Sequence, residues 1–174
     1  MGIRRYLAAT LLAASLSAQA ACDDPPGQRV NWRGCDKAGA DLRGADLREA
    51  VLLRTNLEGA DLRDARLSGA EMNFANLAQA RLDGARLADA RLLRVDLSGA
   101  SLRQALLDNA RLERARLANA DLTGARLREA VLYQANLEGA VLRDADLSGA
   151  DLRQAILDDA DLSQAQLKLS LIHI

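Results

Sequence analysis

The sequence contains few of the residue types from which most catalytic and metal-binding sites are built. Its 174 residues include one histidine, two cysteines, two prolines and four aromatic residues. One histidine and two cysteines leave almost no material for a zinc site or a nucleophile–base pair. Basic residues number 23 and acidic residues 24, and a net charge of −1 argues against a nucleic-acid partner, which needs clustered positive charge. The composition therefore predicts a protein that is not an enzyme and has no cofactor and no metal.

Residues 1–20 have the features of a secretory signal peptide. Arg4 and Arg5 supply the positive start, residues 7–16 form a short apolar run, and Ala18-Gln19-Ala20 has the small-x-small pattern of a cleavage site. The apolar run is about half of the ~20 residues needed to span a bilayer, so it does not predict a transmembrane helix. We expect cleavage after residue 20 and a periplasmic or secreted mature protein.

The dominant feature of the remaining sequence is a repeat with a period of five residues. From position 42 to position 167 every fifth residue is Leu, 25 times in 26, with Met72 as the exception. Ala lies two residues before these positions in 24 of 26 cases, the exceptions being Thr55 and Val95. The unit is therefore Ala-x-Leu-x-x, without an insertion, and its register extends back to Trp32 and Lys37 at the Leu position.

A period of five residues excludes a regular helix and a flat strand. Five residues of α-helix rotate the chain by about 500°, which would spread the leucines over every side of the helix. In a strand, an odd spacing places successive leucines on opposite faces. A square coil of four pentapeptides, each a short extended side followed by a corner, places every Ala and Leu inside. The repeat therefore predicts an all-β, quadrilateral, right-handed parallel β-solenoid.

The Ala-x-Leu-x-x unit resembles the consensus of the pentapeptide-repeat family, Ala-Asp/Asn-Leu-x-x, over residues 30–168. The resemblance implies a four-sided, right-handed β-solenoid of about seven coils, which we delimit as residues 35–168. Some members of the family resemble B-form DNA in size and charge and protect topoisomerases. This chain is not strongly acidic and has a predicted signal peptide, so the first hypothesis is a non-enzymatic exported scaffold or protein-interaction module. Its expected partner is a protein or cell-envelope component, and a topoisomerase-binding DNA mimic is the alternative.

The residues between Ala and Leu point outward and lie next to those twenty positions away. Opposite charges at this spacing favour ion pairs between coils, which keep the surface soluble and in register. Residues 81–130 carry ten bases and seven acids, so the middle of the solenoid is mildly positive. The candidate partner-binding residues are four stacked arginines in or beside this region, Arg66 with Arg86 and Arg91 with Arg111. The predicted ion pairs are Asp46 with Arg66, Asp61 with Arg81, Glu71 with Arg91, Asp96 with Arg116, and Arg126 with Asp146.

Residues 21–34 are interpreted as an N-terminal cap that contains Cys22. An oxidising compartment favours a disulfide between Cys22 and Cys35, the two cysteines of the chain. The Pro25-Pro26-Gly27 run between them favours a loop that folds back over the first coil, with Trp32 as the bulk of the lid. Two alternatives stay open. Both thiols are free, or Cys22 is lipidated, the one case in which membrane anchoring is expected.

Residues 169–174 break the sequence pattern and are apolar, whereas a solenoid normally ends in a polar cap. Their sequence also matches the translation of a common transposon-end sequencing adapter. We interpret this tail as a sequencing artefact and expect the natural chain to be longer. If the tail is natural, the uncapped C-terminal coil is a candidate dimer surface. His173, the one histidine, lies within the tail and has no expected role.

Overall fold

The computed structural model describes residues 22–172. The predicted signal peptide and His173 lie outside these residues. Isolated parallel β-bridges join each outward residue to the one twenty positions later, from Asn31 with Val51 to Asp151 with Leu171. Four pentapeptides therefore complete one coil, as the four-sided prediction requires. Residues 22 and 23 are helical, and the rest of residues 22–172 contain no helix and no strand longer than one bridged residue.

The bridged residues form four ladders, one for each side of the coil. We number the sides in chain order by their first and last residues: side 1, Asn31 to Leu171; side 2, Asp36 to Ile156; side 3, Asp41 to Asp161; side 4, Asp46 to Gln166. An edge comprises the two corner residues that follow a side in each coil. Edge 1 is thus 33–34, 53–54 and onward to 153–154; edge 2 starts at 38–39, edge 3 at 43–44 and edge 4 at 48–49.

Every corner is a tight turn with one residue in the left-handed region. In the turn that starts at Leu42, the N–H of Ala45 donates to the carbonyl of Leu42 at 3.1 Å, and Gly44 has a φ of 63°. This bond together with a positive φ at the third residue is characteristic of a type II turn. A positive φ recurs at every fifth residue from Arg29 to Leu169, whether or not the residue is glycine.

The backbone bonds explain why Asp and Asn are frequent at the outward position. The N–H of Leu62 donates to Arg81 of the next coil at 2.7 Å, and the N–H of Asp61 donates to Ala40 of the preceding coil at 2.9 Å. The N–H of Arg63 has no backbone acceptor and donates instead to Asp61 Oδ1 at 3.3 Å. A side-chain oxygen two residues back therefore satisfies the one donor that the coil leaves free.

The predicted core is confirmed. From Leu47 to Ala150, each residue at an Ala or Leu position is at most 1% exposed. The three departures from the pattern also fit, since Met72 and Val95 are fully buried and the Thr55 hydroxyl donates to the carbonyl of Trp32 at 2.7 Å. That hydrogen bond satisfies a polar group that would otherwise be buried without a partner.

The N-terminal end of the core is covered as predicted. Trp32 is 1% exposed, and its indole N–H donates to the carbonyl of Asp24 at 3.1 Å. Cys22 and Cys35 form a disulfide, with Cα atoms 5.4 Å apart, and in this state the Cys22 sulfur has no valence left for a lipid. Lys37 occupies a Leu position of the first coil but is half-buried. Its ammonium group donates to the carbonyl of Cys22 at 2.6 Å and so ties the cap to the first coil.

The C-terminal end of the described solenoid has no such cover. Inward residues of its last coil, among them Leu157, Leu162 and Leu167, are only partly buried, and Leu169 is 83% exposed. Leu169 nevertheless has the corner φ of 61°, and Leu171 forms a bridge with Asp151. The bridged region therefore extends over residues 31–171, beyond both limits of the predicted 35–168. The reason is that bridges need backbone geometry and not the Leu pattern.

Candidate functional site

Alanine and leucine fill the interior, so the side chains available to a partner lie on the sides and edges. The four arginines predicted from the sequence are all exposed and occupy two adjoining sides. Arg66 lies beside Arg86 on side 4, and Arg91 lies beside Arg111 on side 1. The side 1 pair is neutralised by glutamates, at 3.6 Å from Arg91 and 2.6 Å from Arg111. The four arginines thus form no single free cluster, and their binding of a partner stays a prediction.

Three of the five predicted ion pairs between coils are present. They are Asp61 with Arg81 at 3.8 Å, Glu71 with Arg91 at 3.6 Å, and Asp96 with Arg116 at 3.3 Å. The predictions for Asp46 with Arg66 and for Asp146 with Arg126 are wrong. Asp46 instead binds Arg48, and Asp146 binds Arg128, each at 2.5 Å. In both cases an arginine on the adjoining edge lies closer to the carboxylate than the predicted partner on the neighbouring coil.

These contacts hold several aspartates in the ionised state. The side-chain hydrogen bond from Arg48 lowers the pKa of Asp46 to about 2, and the bond from Arg63 does the same for Asp61. The hydroxyl of Ser163 lowers the pKa of Asp161 to about 2. A general acid or base at neutral pH needs a pKa moved towards 7, so these carboxylates are fitted for structure and not for proton transfer.

A shallow groove of about 670 Å³ follows edge 3 across several coils. It exists because Gly84 and Gly124 place no side chain at their corners. The charged residues that line it are Arg63, Arg81, Arg103, Asp64, Asp83 and Asp144, three of each sign. Arg63 and Arg103 also pair with aspartates on side 3, at 2.5 Å and 3.0 Å. The charges in this groove therefore cancel.

Edge 1 has a composition that the sequence analysis missed. Of its fourteen residues, five are arginines and one is acidic: Arg33, Arg54, Arg94, Arg114, Arg153 and Glu113. It also carries Leu53, Leu93, Phe74 and Tyr133, the last two being the aromatic residues of the described chain that lie outside the core. The signal becomes visible when the sequence is written in rows of twenty residues, so that each edge becomes a pair of columns.

The arginines of edge 1 are unusual because most of them have no acidic partner. Within residues 22–172, six arginines have no carboxylate within 4 Å: Arg33, Arg54, Arg66, Arg86, Arg94 and Arg114. Four of these six lie on edge 1. Arg54 instead lies over the ring of Phe74, with 5.8 Å from the guanidinium carbon to the ring centre, and Phe74 is 43% exposed. A small hollow of about 150 Å³ adjoins the edge, lined by Leu93, Arg91 and Arg111 among others.

No site for a metal is found in the part of the chain that the structure describes. Between residues 22 and 172, no three histidine, cysteine, aspartate or glutamate side chains are grouped so as to hold an ion. Over the same residues, no helix has the length and apolar character needed to cross a membrane.

Comparison with protein families matches the chain to pentapeptide repeats, in eight copies, over residues 34–69, 70–109, 96–134, 105–144 and 135–171. HetL, a pentapeptide repeat protein involved in heterocyst differentiation regulation in the cyanobacterium Nostoc sp. strain PCC 7120, is 41% identical over 82% of this chain and 69% of its own, with a TM-score of 0.48.

Two further solved structures are more distant. A pentapeptide repeat protein from the thylakoid lumen of Arabidopsis thaliana is 27% identical over 73% of this chain and 71% of its own, with a TM-score of 0.41. QnrB1, a plasmid-mediated fluoroquinolone resistance protein, is 20% identical over 82% of both chains, with a TM-score of 0.41. No curated protein matches the sequence.

Proposed function

Because the chain belongs to the pentapeptide-repeat family, we propose that it is a non-enzymatic scaffold that is exported and binds a protein or cell-envelope partner through its outer surface. The fold of the family is a right-handed β-solenoid, and the bridges from residue 31 to residue 171 correspond to about seven coils. The observation that carries the proposal is an unbroken aliphatic interior that supports a regular array of outward side chains.

The array suits a binding surface because it is ordered before the partner arrives. Each pentapeptide donates backbone hydrogen bonds to both neighbouring coils, as Asp61 and Leu62 do. Side chains on such a framework lose less conformational entropy on binding than those on a loop that must order first. A surface of this kind can recognise a partner by shape and charge without a pocket.

Export is supported by the disulfide between Cys22 and Cys35 together with the predicted signal peptide. Disulfides persist in the periplasm and outside the cell, where thiols are not kept reduced. The alternative, a topoisomerase-binding DNA mimic, needs continuous rows of negative charge. Side 4 instead has adjacent Arg66 and Arg86, and side 1 has adjacent Arg91 and Arg111. These arginines interrupt any such row on sides 4 and 1, and Arg116 and Arg81 do so on sides 2 and 3, so we favour the exported scaffold.

Cell fractionation tests this proposal. We expect the full chain, expressed in a Gram-negative host, to appear in the periplasm with a mass that corresponds to cleavage after Ala20. A chain without residues 2–20 is the matched control and should stay in the cytosol. Uncleaved full-length chain in the cytosol would contradict export. A DNA supercoiling assay with purified topoisomerase tests the alternative. A topoisomerase-binding DNA mimic would change the activity of the enzyme, whereas we expect no change.

A further inference from the structure

Edge 1 has the largest excess of positive charge of any side or edge in residues 22–172. Its five arginines and one glutamate leave an excess of four positive charges. Residues 22–172 as a whole carry a net charge of −3, because Arg4 and Arg5 lie outside them, so the remaining surface has a net charge of −7. Surface charges are usually paired or interspersed with the opposite sign. Four arginines of edge 1, Arg33, Arg54, Arg94 and Arg114, have no carboxylate within 4 Å and remain available to an anionic partner, although Arg114 also donates a hydrogen bond to Gln134 Oε1 at 2.8 Å.

The same edge exposes apolar groups among the arginines. Phe74 is 43% exposed and projects from a corner, and Leu53 and Leu93 are half-buried beside it on neighbouring coils. Edges 2 and 3 have no residue larger than alanine that is apolar. Arginine and aromatic residues together are enriched in the centres of protein interfaces, where apolar contact and charge pairing combine.

The residues of edge 1 form a line, because each coil adds one corner directly beside the last. Adjacent bridged chains lie about 4.8 Å apart, so the five rows from Arg33 to Arg114 span about 19 Å. An extended chain rises about 3.3 Å per residue, and about six residues cover that length. The dimensions therefore match a short extended segment.

We propose that edge 1 binds an extended, acidic protein segment with apolar side chains, its carboxylates on Arg54, Arg94 and Arg114 and its apolar groups on Phe74 and the adjacent leucines. The proposal rests on the scaffold function above and specifies the chemistry of its partner. Carboxylates pair with exposed guanidinium groups in a fork geometry that lysine does not provide.

Two other occupants fit the edge less well. Single-stranded nucleic acid binds to successive aromatic platforms. Of the two aromatic residues of edge 1, Phe74 is exposed, whereas Tyr133 is half-buried and its hydroxyl donates to Gln154 Oε1 at 3.0 Å. A second copy of this chain could present edge 2, which has four acidic residues and no base. That edge lacks the large apolar residues needed to cover Phe74.

A peptide-binding experiment tests the proposal. The probe is a fluorescein-labelled, eight-residue peptide with the sequence Glu-Glu-Leu-Leu repeated twice, so that each face of the extended peptide carries both kinds of side chain. Its binding to the exported, disulfide-bonded chain is followed by fluorescence anisotropy. The double variant Arg54→Gln/Arg94→Gln should weaken binding about tenfold or more. Gln occurs naturally at the same corner as Gln134 and Gln154, so the turn is preserved. Phe74→Gln should weaken binding about fivefold.

The matched control is Arg81→Gln/Arg103→Gln, which removes two exposed arginines from side 3 and edge 3, away from edge 1 and outside the four candidate partner-binding arginines. It should change the affinity less than about twofold. Equal losses for the two double variants would overturn the proposal, because binding would then follow net charge alone. Equal affinity for the same peptide with Ser in place of each Leu would overturn its apolar component. Denaturant midpoints of all variants, measured in parallel, separate lost binding from lost folding.

Two further measurements identify the other occupants. The first is binding of a twenty-nucleotide oligothymidine. If it binds more tightly than the peptide and this binding is lost in Arg54→Gln/Arg94→Gln, the occupant of edge 1 is nucleic acid and not a protein segment. The second is sedimentation velocity. If the wild-type chain self-associates and Arg54→Gln/Arg94→Gln does not, the occupant of edge 1 is a second copy of this chain. Fractionation keeps the two proposals distinct. A cytosolic protein that still binds the peptide refutes export alone, and an exported protein that does not bind it refutes the edge 1 proposal alone.

Discussion

The ammonium group of Lys37 lies 4.3 Å from the centre of the Trp32 ring, at the N-terminal end of the core. Both residues stand at positions where the repeat has leucine. Trp32 fills the space below the cap, and Lys37 places its charge between the ring face and the carbonyl of Cys22, which accepts its hydrogen bond at 2.6 Å. A charged residue is therefore tolerated in the first coil because the cap supplies both an aromatic face and an acceptor.

Replacing Lys37 by methionine tests this arrangement. Lys37→Met keeps the aliphatic stem but removes the charge, so we expect the free energy of unfolding to fall by about 1 kcal/mol. Lys168→Met, at an exposed residue near the other end, should change it by less than about 0.5 kcal/mol. Urea denaturation of both variants provides the measurement. A Lys37→Met protein as stable as the wild type would show that the ammonium group does not secure the cap.

The disulfide between Cys22 and Cys35 should contribute to stability by restricting the unfolded chain. For a closed loop of this size the chain-entropy model gives about 3 kcal/mol, and measured values are often lower. We expect the double variant Cys22→Ser/Cys35→Ser to have a lower denaturation midpoint than the wild type. We also expect wild-type protein from the periplasm, unfolded without reductant, to show no free thiol towards a thiol reagent. Two reactive thiols, or the mass of a diacylglycerol on Cys22, would refute the disulfide.

The inward positions should be far more sensitive to substitution than the outward ones. Leu117 is 1% exposed in the middle of the solenoid, and Leu117→Ala should cost about 2–5 kcal/mol because the stacked coils cannot collapse into the cavity. Arg86→Gln, on the exposed side 4, should cost less than about 0.5 kcal/mol. Equal losses in guanidinium melts would mean that the assignment of inward and outward positions is wrong.

The left-handed corners predict opposite effects of glycine at two arginines. Arg94 has a φ of 53°, a conformation that glycine adopts without strain, so Arg94→Gly should stabilise the protein by about 0.5–1 kcal/mol. Arg86 lies in a β-bridge, where the lost side chain and the gained backbone freedom make Arg86→Gly destabilising by about the same amount. Thermal melts of the two variants should shift in opposite directions. A shift of the same sign in both would contradict the turn assignment.

Acid should destabilise the solenoid in a defined range. The pKa values of Asp46, Asp61 and Asp161 are lowered to about 2 from an ordinary value of 3.8. A lowered pKa stabilises the folded state above the unfolded pKa, and this contribution is lost as pH falls from about 4 through about 2. We therefore expect the urea midpoint to decline in that range. Arg48→Gln should flatten the decline, whereas Arg86→Gln should not, and an unchanged profile in both would contradict the contribution of the Arg48 contact.

The core was predictable in detail because a period of five leaves one arrangement in which Ala and Leu share an interior. The N-terminal cap was also predictable, since Pro25 and Pro26 exclude a helix and Cys35 lies at an inward position. The pairing of charges was less predictable from the sequence. Spacing identifies Arg66 as the neighbour of Asp46 on the next coil, but it does not show that Arg48 reaches the same carboxylate around the corner.

The sequence by itself determined the coil, its interior and the side on which each residue lies, because every repeat encounters the same environment and the pattern never slips. Only the tertiary structure decided which charges are satisfied. Long arginine side chains reach carboxylates two, eighteen or twenty residues away, and the geometry around each corner decides which of these carboxylates an arginine contacts. These contacts neutralise Arg91 and Arg111, whereas Arg54, Arg94 and Arg114 of edge 1 have no carboxylate within 4 Å, because Glu113 of the same edge pairs with Arg111 instead.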